Sequence, residues 1–508
     1  MRLADLAETS LRVAATRSRL AKVDAIAARL GAAAPDEVAV AVRYLTGELR
    51  QRRAGVGWAA LRRLPPAAAT ASLSALDVDL VFGRLESAGG PGAVAERRAQ
   101  LRALLARATV EEQRFLVSLA LGELRQGAQA GIMAEAVARA AGVEVALVRR
   151  AAMLSGDLAT VADAALRGGA GGLDRFQLVV GQPVRPMLAQ TAASVAAAMG
   201  AVGTAIVEWK LDGVRVQVHR DGDDVAVFTR TLDPITSRVP ELVEAARALA
   251  ARSVVLDGEA IALRPDGRPR PFQETSGRVA SRDAAAEPRR AVPLTLFVFD
   301  CLWLEGEALI DRPAAARLAA AAAVLPPSVW VPRVITGDVA AATRFFEDAV
   351  ARGHEGVMVK ALTAPYQAGR RGAAWLKVKP RHTLDLVVLA AEWGHGRRQG
   401  WLSTLHLGAR DPATGGFAML GKTFKGLTDV MLAWQTARLL ALATDRGQGV
   451  VAVRPELVVE VAFDGIQSSP RYPAGMALRF ARVVRHRPDR RADEADTVAT
   501  VRRLHRGG

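Results

Sequence analysis

The chain has 508 residues, half of them hydrophobic, which is material for about three domains at roughly 100–200 residues each. Lys and Arg (68) outnumber Asp and Glu (52), and the formal net charge of +16 favours a polyanionic partner, nucleic acid before an anionic membrane surface. One cysteine, Cys301, excludes an intramolecular disulfide and a cysteine-based zinc module, and fits a reducing, cytoplasmic setting. The opening MRLADLAETS carries charges where a secretion signal needs an apolar run, and no stretch of about 18–20 apolar residues predicts a membrane span.

Residues 1–175 are rich in Ala, Leu, Arg and Glu and predict an all-helical region. Phe115, Leu116 and Leu119 fall at helical spacing within Glu111 to Gly127, and Val137, Val143, Val148 and Leu154 continue the apolar theme. Gly127 to Gly131 joins two helices; amides at the following helix start suit a phosphate, and a plain turn fits the same residues. The glycine cluster Gly168–Gly172 predicts a linker.

After Pro183 the period changes. Val214, Val216 and Val218 alternate with Arg215, Gln217 and His219, a strand pattern. Val254 to Leu256, Leu294 to Phe299 and Val357 to Val359 are further short strands. Glu241 to Ala251 and Ala340 to Ala351 are helices between them, and the alanine run Ala319 to Ala323 is most simply helix too. The segment 183–380 is therefore mixed α/β. Beyond Pro380, Leu384 to Ala390, Ser403 to Leu407 and Leu457 to Phe463 predict strands, with a helix over Val430 to Ala443. That pattern suits a small β-barrel of the OB type over 381–508.

The sharpest local feature is Glu208-Trp209-Lys210-Leu211-Asp212-Gly213-Val214-Arg215. A strand enters it, Asp212-Gly213 turns, and another strand leaves, so Lys210 stands at a strand end. A lysine attacks phosphorus only as the neutral amine, and near an unperturbed pKa of about 10.4 that form is rare at neutral pH. Neighbouring cations and partial burial are expected to lower the pKa of Lys210. Alone, Lys-x-Asp-Gly reads as a surface lysine beside a turn. Four further runs change the weight: Asp257-Gly258-Glu259, Phe299-Asp300, Glu355 to Lys360, and Trp375 to Lys379. Each places a carboxylate, a lysine or an aromatic at a predicted strand end.

In this order the runs resemble the motifs of the covalent nucleotidyltransferases, that is DNA ligases, RNA ligases and mRNA capping enzymes. The text around them, over essentially the whole chain, is similar to ATP-dependent DNA ligases of the three-domain actinobacterial and archaeal type. The resemblance implies a helical DNA-binding domain (1–175), an adenylation domain (183–380) and an OB-fold domain (381–508). It assigns Lys210 as the lysine that takes up AMP and Glu208 as the reader of the adenine edge. Arg215 and Arg230 fall near ribose and phosphates, and Phe299 stacks on adenine. Glu259 and Glu355 are linked to ribose and a divalent metal, Mg²⁺ or, through the same ligands, Mn²⁺. Arg371 and Lys377 surround the triphosphate, with Lys379 completing that motif.

The C-terminal run Arg479 to Arg491 holds six arginines and one acid, Asp489. It resembles the motif that swings over ATP to orient pyrophosphate, which here involves Arg479, Arg482, Arg485, Asp489 and Arg490. The family usually ends it in Asp-Lys; here it ends Asp489-Arg490, a change that retains charge but not chemistry. The run equally fits a basic strand edge facing nucleic acid.

The implied activity is ATP-dependent sealing of nicks in duplex DNA during replication, repair or recombination, by a nucleoid-associated monomer. An RNA ligase, a capping enzyme or an inactive nick-binding protein would share parts of the pattern.

Overall fold

In the computed structural model the described residues are 1–508 except 52–60, 62, 125, 282–290, 369–371, 381, 448 and 507–508. From Leu3 to Leu173 the described regular structure is helical, around one core that runs from Leu3 and Leu6 to Val161 and Ala165. Local chemistry fixes the helix starts. Thr109 caps Val110–Ala120 by accepting from the Glu112 amide (3.4 Å), while the Glu112 carboxylate accepts from the Thr109 amide (2.8 Å).

The glycine cluster is a tight break rather than a long connection: helical residues on either side of it meet at Gly169, whose backbone (φ 57°, ψ −140°) is not helical. Leu173, beyond the kink, is buried in the helical core and holds the segment in register.

Two sheets follow. The first runs β1 (Gln190–Thr191), β10 (Trp375–Val378), β9 (Val357–Ala361), β2 (Ala205–Trp209), β8 (Arg333–Thr336), antiparallel except for β1 on β10. The second runs β4 (Asp224–Thr229), β3 (Val214–Asp221), β5 (Ser253–Ala262), β6 (Leu294–Leu304), β7 (Glu307–Ala308), all antiparallel. Consecutive strands β2 and β3 lie in different sheets, so residues 210–213 cross from one to the other. Helices cover the outer faces: Val195–Val202 and Val339–Ala351 on the first, Pro240–Arg247 on the second.

The C-terminal part is rich in β-structure. β13 (Gly416–Thr423), β12 (Leu402–Asp411), β11 (His382–Trp393), β15 (Val450–Val453) and β14 (Ala443–Arg446) form one path, and the other half of β11 pairs β16 (Val458–Phe463), which pairs β19 (Arg482–His486). β17 (Gly465–Ser468) and β18 (Met476–Arg479) make a separate ribbon. Helix Asp429–Ala441 packs on β12 around Leu432 and Leu439. Among the described residues no helix is long and apolar enough to cross a membrane.

Two strands run further than the sequence predicts. Glu259 and Phe299 were expected at strand ends; they lie inside β5 and β6. The acids beside them do not end the strands because each is neutralised in place. Asp257 takes both oxygens to Arg215 (3.0 and 2.6 Å), and Asp300 takes both to the fully buried Arg317 (2.7 and 2.7 Å). Asp257 and Asp300 are cross-strand partners, a like-charge placement that such pairing permits.

Candidate active site

A cleft of about 890 Å³ opens between the two sheets and is roofed by the C-terminal part. Its first wall follows from register. In the first sheet Arg333, Glu208, Met358 and Lys377 are successive cross-strand partners, so their side chains share one transverse row; Lys360 and Trp375 pair in a neighbouring row. From the second sheet come Arg215, Glu259 and Phe299, with Arg230 at the rim. The roof is Lys425, Asp464, Arg479, Phe480 and Arg482.

Lys210 sits in the crossing between the sheets. Its amide donates to the Gly356 carbonyl (2.8 Å) and its carbonyl accepts from the Glu355 amide (3.0 Å). Its ammonium is ion-paired to Glu355 Oε2, whose other oxygen holds Lys379 Nζ at 2.7 Å. The turn packs tightly: at Gly213 a Cβ would overlap the Ala260 carbonyl oxygen and crowd Glu259 Cγ.

The electrostatics reverse one expectation. Burial is the largest influence on Lys210 and pulls its pKa down, but Glu355, then Glu259 and Asp212, push it up, and the net direction is upward. The depression expected at Lys210 falls on Lys377 instead, where burial and the neighbouring Lys379 and Lys210 cations act together. Sequence spacing counted cations near Lys210; only the fold shows that a carboxylate is its immediate neighbour. Burial raises Glu259 to about 7, against the pull of Lys210 and Arg215.

Glu208 is 1% exposed. Lys360 Nζ holds its Oε2 at 2.5 Å, whereas Arg333 Nη1 stands 3.8 Å from Oε1, beyond hydrogen-bond reach. Oε1 is a buried acceptor with no hydrogen-bond partner among the described residues, on a residue that lines the cleft. Phe299 meets Trp375 edge-to-face at 5.9 Å, and Lys360 Nζ lies over both rings at 4.6 and 4.3 Å.

Arg215 is committed internally, to Asp257, to the Met187 carbonyl (2.7 Å) and to the Tyr366 hydroxyl (3.2 Å). Arg371 lies outside the described residues. In the C-terminal run, Arg479 and Arg482 line the roof, with Arg479 Nη1 3.0 Å from Asp212 Oδ2. Arg485 is paired with Glu460 (2.7 Å), Asp489 with Arg487 (2.7 Å) and Arg490 with Asp385 (3.4 Å), and none of these three lines the cleft.

Met358, Lys360, Arg333, Asp464 and Lys425 were not singled out from the sequence. Period-2 alternation through Glu355 to Lys360 could have placed Met358 and Lys360 on one face; nothing local marks the others.

A lysine amine, four carboxylates and several cations line one cleft, a lining that suits a phosphate-bearing ligand. Comparisons with known proteins narrow that class. The family models "DNA ligase N terminus", "ATP dependent DNA ligase domain" and "ATP dependent DNA ligase C terminal region" match residues 62–138, 186–379 and 398–490. A "Probable DNA ligase" of Anaeromyxobacter dehalogenans is 59% identical over 515 residues, covering 100% of both chains. One of Mycobacterium marinum is 58% identical over 513 residues, covering 99% of this chain and 100% of the relative. The solved structure of "Pmar-Lig_PreS3" aligns with 95% of this chain and 99% of its own at a TM-score of 0.62 and 18% identity, a likeness of fold. The chain belongs to the ATP-dependent DNA ligase family.

Proposed function

We propose that the chain seals nicks in duplex DNA in three steps, with Lys210 as the nucleophile of the first. The Lys210 amine attacks the α-phosphorus of ATP; an N–P bond forms, the α–β P–O bond breaks, pyrophosphate leaves and the amine loses its proton. An oxygen of the 5′-phosphate at a nick then attacks the same phosphorus, the N–P bond breaks and AMP passes to the DNA. The neighbouring 3′-hydroxyl finally attacks the 5′-phosphorus and expels AMP. The observation that carries this reading is Lys210 at the foot of the cleft, fixed by its own backbone and by Glu355, with Arg479 closing from above onto Asp212.

In this reading Glu208 Oε1 accepts from the adenine amino group, Phe299 and Met358 flank the base, and Arg230 and Lys377 meet ribose and phosphates with Arg371. Lys377, Lys379, Arg479 and Arg482 offset charge on the departing pyrophosphate. Glu355 steadies the charged amine until the nucleotide arrives. Glu259 on the cleft wall and Glu355 beside Lys210 suit Mg²⁺, or Mn²⁺, as hard oxygen donors. Bound there, the metal would supply charge neutralisation at the phosphates. Arg485, Asp489 and Arg490 would act only after the roof moves. Residues 1–175 and the C-terminal part, read as an OB-type barrel over 381–508, grip the duplex flanking an adenylation domain over 183–380. The net charge of +16 supplies salt-sensitive affinity for DNA. A monomer in the cytoplasm, at the nucleoid, fits this role.

The test is ATP labelled on the α-phosphate, with Mg²⁺, followed by a denaturing gel. AMP-free wild type takes label and Lys210→Ala does not; an unlabelled wild type would falsify the proposal. Sealing nicked RNA better than nicked DNA would overturn the substrate.

A further inference from the structure

Beneath the cleft lies a closed polar network that the three steps above do not use. Tyr366 is 1% exposed, and its hydroxyl has its full set of partners. It donates to Asp257 Oδ2 (2.6 Å) and accepts from the Met187 amide (3.0 Å) and Arg215 Nη2 (3.2 Å). Arg215 closes the ring by donating to both Asp257 oxygens and to the Met187 carbonyl.

The network touches the aromatic floor on one side. The Arg215 guanidinium lies 5.4 and 5.6 Å from the ring centres of Phe299 and Trp375, and the Tyr366 ring meets Trp375 edge-on at 5.8 Å. On the other side it reaches the helical part of the chain. The Ala368 amide donates to Met153 Sδ (3.2 Å), in helix Val145–Ser155, and the Met153 carbonyl accepts from the Arg185 amide (2.9 Å). Met153, Met187, Tyr366 and Trp375 belong to one apolar core.

We propose that Tyr366 is a positioning residue for nucleotide capture: its hydroxyl holds Arg215 beneath the Phe299–Trp375 floor and locks that floor to the segment joining it to the helical N-terminal part. The inference rests on reading the cleft as the ATP site. Packing alone would be served by phenylalanine, and a buried hydroxyl with three oriented partners is costly unless all three are kept. Without it the Met187 amide and one Asp257 lone pair lose their partner in a dry interior, and Arg215 is freer to tilt.

The experiment measures charging of Lys210 with α-labelled ATP by wild type and Tyr366→Phe. The expected result is a KM for ATP raised about tenfold, the size of one lost hydrogen bond to a charged group. The maximal charging rate stays within about twofold, as does the nick-sealing rate of protein already carrying AMP, because those steps no longer depend on ATP capture. Asp257→Asn, which breaks the same network from its other end, gives the same KM-selective loss, and the double variant loses less than the product of the two. An unchanged KM in Tyr366→Phe overturns the positioning role, as does a fall in maximal rate and melting temperature with no KM effect. If Tyr366→Phe does not fold, an unchanged KM in Asp257→Asn overturns it equally. An unlabelled wild type sinks the underlying ATP reading and this inference with it; a labelled wild type with an unaffected variant sinks this inference alone.

Discussion

Arg479 of the C-terminal part reaches 3.0 Å to Asp212, two residues beyond Lys210. A second contact crosses the same boundary, Lys379 Nζ to Asp464 Oδ2 at 3.4 Å, and the same lysine holds Glu355, the partner of Lys210. Each side of the boundary contributes one acid and one base, and one of the four, Lys379, shares Glu355 with Lys210. Both pairs are partly exposed and add little stability; their value is in orientation.

Arg479→Ala should therefore slow charging of Lys210 by about a hundredfold, the usual loss for one charge-stabilising donor at a reacting phosphate or oxyanion. Sealing of a pre-adenylated nick should change far less, since the pyrophosphate has already left. Single-turnover rates for the two steps, measured separately, check this; equal losses would make Arg479 a general DNA contact.

Phe299→Ala should raise the KM for ATP about tenfold through loss of one aromatic face and its buried area. Nick affinity, read by gel shift, should stay within about twofold of wild type. Phe299 also packs beside Trp375 and against Leu211 and Val331, so a parallel fall in both affinities would identify it as core packing alone.

Gly356 adopts φ 128°, and a Cβ there would overlap the Val378 carbonyl oxygen and crowd Lys379 Cα. Gly356→Ala should lower stability by about 1–3 kcal/mol and displace Glu355 and Lys379 together. Thermal melting and α-label charging should fall in step, whereas an alanine at exposed Gly200, in a helix with open space around it, should leave charging intact.

His219 is 1% exposed, accepts from the Gly181 amide at Nδ1 (3.0 Å), and burial lowers its pKa to about 4. The unfolded chain binds its proton near pH 6.5 and the folded chain does not, so the stability His219 permits is full above about pH 6.5. It is lost as pH falls towards 4, on the order of 3 kcal/mol in all. His219→Gln, which keeps an acceptor for Gly181 and cannot titrate, should flatten the fall in urea midpoint between pH 7 and 5. An unchanged pH slope would locate the acid sensitivity elsewhere.

Alternation of Val214, Val216 and Val218 was enough to point to mixed α/β architecture, and the runs at Lys210, Asp257, Phe299, Glu355 and Trp375 carried the family resemblance that implied a nucleotide chemistry. Periodicity and turn residues are local, and local signals survive in sequence. What lay beyond them was every relation between distant residues. Register across the first sheet, not spacing, put Arg333, Glu208, Met358 and Lys377 in one row. Pairing of Asp257 with Arg215 and of Asp300 with Arg317 let β5 and β6 run through charges that looked like strand ends. Burial of Leu173 in the helical core ties down the chain just beyond the helix break at Gly169. The pKa of Lys210 is pushed up most by a neighbour that sequence distance hides, a carboxylate 145 residues away. Residue type determined which chemistry was available to this chain; the electrostatics of its site depended on separations of a few ångströms, which only tertiary packing sets.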